Sequence, residues 1–377
     1  MAPVAIEALV RELNRVGNAS SLHAAGRGAR KVVEDGREAL AESVGARPND
    51  VIFTSGGTEA DNLAVKGLFW SRSKADPKRR RILASGIEHH AVLDPVQWLA
   101  DSAGAEVFWI PVDALARIDL VALRNEVERD PESIAFISVM SVNNEVGTIQ
   151  PISEVVAIAA EYGIPVHSDA VQLFGKVPFD FEASGLSCVT LSGHKIGGPV
   201  GVGALLVKRG VDLVPVLHGG GQERDIRSGT LDAPAIASFA AAAKEAISVI
   251  SEEHLRLATL RDDLVSKVIS LIPDARVNGD PDSTRRLPGL AHFTFPGAEG
   301  NALLLLLDAQ GVQCSTGSAC SAGVPRPSHV LLAMGMSESE AKSSLRFSLG
   351  RTSTQADVDA VAAVIVPVVE RARLAAR

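Results

Sequence analysis

The sequence has few cysteines, few aromatic residues and no long apolar run, and each shortage excludes a class of protein. Three cysteines among 377 residues, Cys188, Cys314 and Cys320, are too few for a disulfide framework and lack the CxxC spacing of a self-contained metal site. The longest apolar runs, such as ALLLLLDA, fall far short of the roughly 20 residues that a membrane-spanning helix requires. The sequence therefore indicates neither a disulfide scaffold nor a membrane protein.

An excess of positive charge is also lacking. The chain has 37 lysines and arginines against 45 acidic residues, a net charge of −8, which argues against a nucleic-acid or membrane-surface partner. The one basic cluster, in PKRRRI, precedes a predicted strand and is interpreted as a solvated turn. The N-terminus shows no basic-then-apolar signal pattern, so the cytoplasm is the expected location.

The pattern that is present alternates strand-length apolar segments with amphipathic helical segments. This alternation predicts an α/β fold whose large domain is a doubly wound, mostly parallel sheet with helices on both faces. An alanine-rich helical stretch over 235–272 leads to a smaller α+β C-terminal domain, which contains a predicted strand at GVQCS. We expect an N-terminal helix over 1–16 that packs with the small domain, a large domain over 17–245 and a small domain over 246–377.

Two predicted strands, IPVHSD and CVTLSGHK, end in polar residues. The first ends at Asp169, and the second leads into Ser192, His194 and Lys195. Because ligands of open α/β sheets lie outside the carboxyl ends of strands, these side chains are expected to face one crevice. A lysine there can form a Schiff base and an acid can hold a pyridinium nitrogen protonated, the two attachments that pyridoxal phosphate requires. Alternatively, Asp169 caps a helix and Lys195 is a solvated loop residue.

Two further motifs follow strands. In TSGGTEADN, Gly57 and Thr58 begin a predicted helix whose N-terminus suits a phosphate. Alternatively, Thr58 is an ordinary helix cap, and Glu59 and Asp61 are favourable charges in the first turn. In GIEHHAV, an imidazole such as His89 could stack on an aromatic cofactor or act as an acid or base. One of the two adjacent histidines is expected at the surface.

Three C-terminal or loop features complete the candidates. Asn144 in SVNNEVG offers an amide, unless these asparagines only start a turn. Arg346, within the predicted strand SLRFSL, either pairs with a buried acid or forks onto a substrate carboxylate. Cys320 lies in the small-residue loop STGSACSAG, which is typical of an exposed, mobile segment, whereas Cys188 and Cys314 lie in apolar strands.

These motifs occur together in an order that resembles one family. TSGGTEADN, EHHAV, NNEVG, HSDAVQ, SGHK, HGGGQERDIRSGT, STGSACSAG and SLRFSLGR are similar to the motifs of cysteine desulfurases of the NifS/IscS type. That family belongs to the class V aminotransferase group of fold-type I pyridoxal-phosphate enzymes. The resemblance covers about Gly17 to Arg351 and points to the subgroup whose catalytic cysteine lies in a longer loop.

The resemblance implies pyridoxal 5'-phosphate as cofactor and a role for each matched residue. Lys195 would be the Schiff-base lysine, Asp169 the partner of the pyridinium nitrogen and His89 the stacking residue that also serves catalysis. Cys320 would be the sulfur-accepting nucleophile and a candidate transient iron–sulfur ligand. The remaining matched residues would contact the phosphate (Gly57, Thr58, Ser192, His194, and Thr230 from a neighbouring subunit), the phenolic oxygen and substrate (Gln172, Asn144), and the substrate carboxylate (Arg346, with Asn18 a weaker candidate).

The resemblance implies that L-cysteine is converted to L-alanine while its sulfur is transferred to Cys320. A homodimer would then pass the sulfur to an iron–sulfur scaffold or another acceptor protein. A class V aminotransferase, a selenocysteine lyase and a non-catalytic iron–sulfur scaffold remain as alternatives. The family's initial strand, roughly YLDxAATTP, has no counterpart in these residues, which begin MAPVAIEAL. We expect either that the start has been misassigned or trimmed, or that the substrate site lacks one wall.

Overall fold

The computed structural model describes residues 1–317 and 327–375, which divide into two units. The first unit comprises Met1–Ile110, Leu120–Ser141 and Pro151–Ile250, and the second comprises Pro111–Asp119, Val142–Gln150 and Ser251–Arg377. Cys320 lies outside the described residues, so its predicted role stays a prediction.

A seven-stranded sheet forms the centre of the first unit. Its strands are β1 (Val51–Thr54), β2 (Arg81–Ser85), β3 (Glu106–Ile110), β4 (Ile134–Ser138), β5 (Val166–Asp169), β6 (Cys188–Ser192) and β7 (Gly203–Val207). Their order is β1-β7-β6-β5-β4-β2-β3, and only β7 runs antiparallel to its neighbours. The connection from β6 to β7 is too short for the crossover that parallel strands need, so β7 turns back. The predicted mostly parallel α/β sheet is confirmed.

The helices of the first unit alternate with these strands. They are α1 (Pro3–Leu13), α2 (Ala24–Ser43), α3 (Gly57–Ala75), α4 (His90–Ala103), α5 (Leu120–Arg129), α6 (Ile152–Ala160), α7 (Phe181–Ser184) and α8 (Ala233–Ser248). The apolar residues Leu63 and Leu68 of α3 pack with Ile52, Ile82 and Leu205 of the sheet in one buried cluster. Helix α3 therefore lies against the sheet, with its first turn following the end of β1.

Helix α1 packs on α8, which differs from the predicted packing of residues 1–16 with the smaller domain. Ala2 and Ala5 are fully buried and cluster with Ala242. The Ala2 N–H donates to the Gly197 carbonyl at 2.7 Å, and the Ser238 hydroxyl donates to the Ala5 carbonyl at 2.6 Å. Small side chains on both helices allow this close approach, and the helix is therefore part of the first unit.

The second unit contains a three-stranded antiparallel sheet of order β10-β9-β8, formed by Arg276–Val277 (β8), Leu290–Thr294 (β9) and Ser344–Ser348 (β10). Its helices are α9 (Ile250–Leu271), α10 (Gly300–Asp308), α11 (His329–Ala333), α12 (Glu338–Lys342) and α13 (Gln355–Ala375). Phe293, Leu303, Leu345 and Ile365 are all buried in one hydrophobic cluster. This arrangement is the predicted α+β pattern.

Three details of the sequence prediction differ from the structure. The helical stretch over 235–272 is two helices separated at Val249. The predicted strand GVQCS is not one, because Gly311 turns the chain with a φ of 80° and only Ser315 bridges to Arg346. Residues 111–119 and 142–150, assigned by prediction to the large domain, belong to the second unit. Among the described helices, none alone is both long enough and apolar enough to cross a membrane.

Candidate active site

The carboxyl ends of β5 and β6 carry the polar residues that the sequence singled out. Asp169 is the last residue of β5, and Ser192 is the last of β6. The two strands are parallel neighbours, so their carboxyl ends lie at one edge of the sheet. The 3₁₀ turn Gly193–Ile196 follows β6 and carries Lys195, whose charge opposes the rise that burial causes in the pKa of Asp169. The structure therefore brings Asp169 and Lys195 within electrostatic reach of one another.

Asp169 is a buried carboxyl whose environment favours a neighbouring cation. Its side chain accepts a hydrogen bond from the Val171 N–H at 2.8 Å. Burial raises the pKa of Asp169 to about 8, and the charge of Asp61 acts in the same direction, while His167 and Lys195 oppose it. A protonated ring nitrogen against this carboxyl would restore its ionised form, because an opposite charge stabilises a buried carboxylate. The site therefore fits a pyridinium group.

The turn between β1 and α3 is open at Gly56, where a Cβ would meet nothing within 4 Å. Gly56 has a φ of 150°, and a Cβ placed on Gly203 would lie 2.7 Å from the Gly56 carbonyl carbon, so β7 passes close to this turn. A Cβ on Gly57 would lie 3.7 Å from the Ser192 Cβ, which places Ser192 beside the start of the helix. The first N–H groups of the 19-residue α3 have no partner within the helix.

Hydroxyl and imidazole groups add to these backbone donors. The Ser192 Oγ and His194 Nδ1 lie 2.9 Å apart, and Thr58 is exposed in the first turn of α3. Burial and the charges of Lys195 and Lys176 lower the pKa of His194. Backbone N–H groups, hydroxyls and nearby lysines at a helix N-terminus suit a phosphate group. The structure thus brings together Gly57, Ser192 and His194 as predicted.

The adjacent histidines of GIEHHAV have different environments. His89 is half-buried and caps α4 by accepting a hydrogen bond from the Ala91 N–H at Nδ1, 3.1 Å away, so its neutral ring carries the proton on Nε2. His90 is exposed, with its Nδ1 3.0 Å from Asp94 Oδ1. Glu88 is buried and accepts the Met140 N–H at 2.5 Å, which fixes the turn between β2 and α4. Of the two histidines, His90 is therefore the surface residue.

The other predicted contacts of the first unit lie on loops and turns. Gln172 follows Asp169 by three residues and accepts a hydrogen bond from Lys176 Nζ at 2.8 Å. Thr230 is exposed, on a loop that the Arg227–Glu59 ion pair (2.7 Å) ties to the first turn of α3. Asn18 is exposed and its Oδ1 accepts the Ser20 N–H, which is a turn role.

The second unit holds Asn144 and Arg346. Arg346 is half-buried on β10, opposite His292 of β9, and its Nη1 donates to the Asn144 carbonyl at 2.8 Å. The neighbouring Asn143 instead stabilises its own turn, since its Oδ1 accepts the N–H groups of Glu145 and Val146. The structure therefore joins the two residues that were predicted to contact the substrate.

Neither described cysteine has the character of a nucleophile. Cys188 is fully buried in β6, and burial raises the pKa of its thiol. Cys314 is half-buried, and burial together with the charge of Asp308 raises the pKa of its thiol to about 11. Because the thiolate is the reactive form, both cysteines are structural at neutral pH.

Sequence reasoning did not predict that Asp61, Glu88 and His167 are buried within electrostatic reach of Asp169. A signal for Asp61 exists, because it lies four residues before Val65 and seven before Leu68, both buried on the sheet-facing side of α3. Helical periodicity thus places Asp61 on the apolar face, whereas the sequence analysis treated it as a favourable charge in the first turn.

Comparison with known proteins gives consistent results over most of the chain. The family model described as aminotransferase class-V matches residues 2–361. The IscS-like cysteine desulfurase of Mycobacterium tuberculosis is 55% identical over 376 residues, covering 100% of this chain and 95% of that protein. A solved structure of a NifS-like protein superposes with a TM-score of 0.89 at 33% identity, covering 98% of this chain and 96% of that one. A structure of SspA in complex with cysteine superposes with a TM-score of 0.79 at 32% identity, covering 93% and 95%.

Proposed function

Because this chain belongs to the class-V aminotransferase family, we propose that it is a pyridoxal-phosphate-dependent cysteine desulfurase. It would convert L-cysteine and the thiol of Cys320 into L-alanine and a persulfide on Cys320. The observation that carries this proposal is the buried Asp169 carboxyl within electrostatic reach of Lys195, at the carboxyl edge of a mostly parallel sheet. The printed activity of the 55% identical relative supports the choice of reaction.

The described residues would hold pyridoxal 5'-phosphate by its three functional parts. Asp169 would face the ring nitrogen, and the Lys195 amine would bond to the aldehyde carbon. The phosphate would lie against Gly57, Thr58, Ser192 and His194, while His89 would stack on the ring and Gln172 and Asn144 would lie near the phenolic oxygen. When bound, the cofactor supplies an electron sink that makes the substrate Cα–H acidic.

The side chains of this chain would then carry out distinct tasks. Arg346 would bind the substrate carboxylate through its guanidinium fork, held in place by its hydrogen bond to the Asn144 carbonyl. The Lys195 amine would take the proton from the substrate Cα. The Cys320 thiolate would attack the substrate sulfur, so that an S–S bond forms as the C–S bond breaks, and the former Cβ is protonated to give alanine. Asn18 remains a weaker candidate for contact with the substrate carboxylate.

A second copy of the chain and a sulfur acceptor are part of the proposal. Thr230 is exposed on the loop that the Arg227–Glu59 ion pair holds against α3, and it would complete the phosphate site of the other copy in a homodimer. The persulfide sulfur would pass to an iron–sulfur scaffold or another acceptor protein, with Cys320 as a transient ligand of a cluster. Selenocysteine is chemically close to cysteine and would be accepted by the same groups. The cytoplasmic location stays a prediction.

The test is to incubate purified protein with pyridoxal phosphate, L-cysteine and a thiol reductant, and to measure alanine and sulfide together. Equal amounts of the two products are expected. Lys195→Ala should abolish both products, and Cys320→Ser should keep the yellow cofactor complex but release no sulfide. Cys314→Ser is the matched control and should retain wild-type rates. Undiminished sulfide release by Cys320→Ser would overturn the proposal.

A class V aminotransferase is the second candidate, favoured by the description of the matching family model. It would use the same lysine and aspartate but no cysteine. Amino-group transfer from an amino acid to a keto acid, at equal rates in wild-type protein and Cys320→Ser, would support this candidate instead.

A further inference from the structure

A buried polar cluster lies beside Asp169 in the first unit, and none of its members has a task in the proposed reaction. It consists of Asp61 on α3, Ser138 on β4, His167 on β5 and Thr190 on β6, each at most 1% exposed. Burying a carboxyl among apolar side chains costs free energy unless its oxygens are satisfied. The burial of the Asp61 carboxyl on the sheet-facing side of α3 therefore needs an explanation.

His167 and Thr190 are the members of this cluster that adjoin Asp169 in the sheet. The two residues are separated by one position on β5, so their side chains lie on the same face of the sheet. The His167 Nδ1 lies 2.9 Å from the Ser138 Oγ, and its Nε2 lies 3.2 Å from the Thr190 Oγ1. Thr190 is in turn the register partner of Asp169 on β6. Burial lowers the pKa of His167 to about 4, so the ring is a neutral link between hydroxyl groups.

Asp61 forms the other end of this link. Its Oδ1 lies 3.5 Å from His167 Nε2 and has no hydrogen-bond partner among the described residues. A hydrogen bond from the Thr190 hydroxyl partly opposes the rise that burial causes in the pKa of Asp61. One arrangement of protons satisfies all these contacts: the Ser138 hydroxyl donates to Nδ1, Nε2–H donates to the Thr190 oxygen, and the Thr190 hydroxyl donates to Asp61. The chain of donors thus ends on a carboxylate.

We propose that Asp61 is a positioning residue, which supplies negative charge through Thr190 and His167 and so keeps the ring nitrogen facing Asp169 protonated. The inference rests on the proposed function, because it requires the cofactor ring beside Asp169. Glu88 and Lys195 are the other titratable groups that act on Asp169 or its neighbours. Burial raises the pKa of Asp61 to about 7, and a cation nearby would draw it toward its ionised form at neutral pH.

The test follows the protonation of the ring nitrogen through its ¹⁵N NMR shift in a pH titration of protein loaded with ring-¹⁵N pyridoxal phosphate. Asp61→Asn keeps the size of the side chain and removes its charge, so the form with a protonated ring nitrogen should lose stability. Its midpoint should fall by about one pH unit, the size of effect that the loss of one nearby charge has on a buried group. Asp35→Asn, on the exposed surface of α2, is the matched control and should titrate as wild type does.

Thr190→Val tests whether Asp61 acts through the Thr190 hydroxyl, because valine keeps the branched shape of threonine and lacks the hydroxyl. Its midpoint should fall by less than that of Asp61→Asn, and the double variant should shift no further than Asp61→Asn alone. A double-variant shift equal to the sum of the two would overturn the route through Thr190. If Asp61→Asn does not fold, an unshifted midpoint in Thr190→Val overturns the inference.

The same experiment separates this inference from the proposed function. Wild-type protein that develops no visible absorbance with pyridoxal phosphate contradicts the proposed function itself. Wild-type protein that does so, together with an Asp61→Asn variant that titrates at the wild-type midpoint, contradicts only the role of Asp61.

Discussion

Replacing Glu223 by glutamine should destabilise the first unit much more than the loss of a surface charge would. Glu223 is 1% exposed and accepts two hydrogen bonds from Arg37, at 2.7 and 2.8 Å. The same carboxylate accepts the Phe53 N–H at 2.8 Å, and the Arg37 guanidinium lies 4.9 Å above the centroid of the Phe53 ring. One acid thus joins α2, β1 and the loop that carries Thr230.

The size of the effect follows from the charge that the substitution leaves behind. Glutamine retains one acceptor oxygen, but its NH₂ group faces the donors of Arg37, so one charge-assisted hydrogen bond is lost and the buried guanidinium is no longer compensated. Removing one partner of a buried ion pair typically costs about 3–5 kcal/mol. Glu34, whose Oε2 lies 3.0 Å from Arg37 Nε, still offsets part of the charge. We therefore expect a loss of about 3 kcal/mol in the free energy of unfolding, at the lower end of that range.

Urea unfolding followed by tryptophan fluorescence measures this loss, because the three tryptophans, Trp70, Trp98 and Trp109, all lie in the first unit. Asp35→Asn breaks the exposed pair with Lys31 and should cost less than about 1 kcal/mol. The reasoning predicts that Arg37→Met combined with Glu223→Leu recovers part of the stability, since no unpaired charge remains but the buried Phe53 N–H loses its acceptor. A Glu223→Gln midpoint equal to that of Asp35→Asn would refute it.

Three further predictions concern the site. Gly203→Ala should lower the free energy of unfolding in the urea assay by about 1–3 kcal/mol, because the added Cβ would lie 2.7 Å from the Gly56 carbonyl carbon. Gly350→Ala is the control and should be nearly neutral, since a Cβ at Gly350 would meet open space. Arg346→Lys should raise the KM for cysteine by about 10–100-fold in steady-state kinetics, because a lysine cannot donate two parallel hydrogen bonds to the substrate carboxylate. An unchanged KM would show that Arg346 does not bind the substrate. In the cofactor-free protein, burial raises the pKa of Asp61 to about 7 and of Asp169 to about 8, but it lowers the pKa of His167 to about 4 and of His292 to about 3, so these effects offset one another below pH about 6.5. Between pH about 6.5 and about 8 the two carboxyls make the folded state bind more protons than the unfolded state. Its free energy of unfolding should therefore fall as the pH rises through this window, and Asp61→Asn should reduce the slope in urea titrations at several pH values.

Local patterns were sufficient to predict most elements and the grouping of the site. Strands such as IAFIS and VTLS are short, apolar and followed by polar turns, and helices such as Leu120–Arg129 show a clear 3.6-residue period. Because the ends of parallel strands share one edge of the sheet, the positions of Asp169 and Ser192 followed from the strand assignments alone. The sequence prediction of Lys195 near Asp169 therefore needed no long-range information.

The differences arise where the deciding contact is distant in sequence. Residues 111–119 and 142–150 join the second unit because Thr148 bridges to Arg286 and the Ile149 N–H donates to the Arg285 carbonyl, about 140 residues away. No local pattern encodes these pairings. Helix α1 likewise lies on α8 because alanines on both helices fit together.

Asp61 shows how local rules can compete at one position. A carboxyl near a helix N-terminus is favourable at the surface, because it interacts with the helix dipole, and this rule alone accounts for Asp61 in TSGGTEADN. Helical periodicity places the same residue on the apolar face, where an acid is costly. The structure follows the periodicity, and the cost is tolerated where the Thr190 hydroxyl and the His167 imidazole, from two neighbouring strands, approach the carboxyl. A polar residue that breaks the apolar side of a helix beside a predicted site is therefore better interpreted as part of that site's electrostatics than as a surface charge.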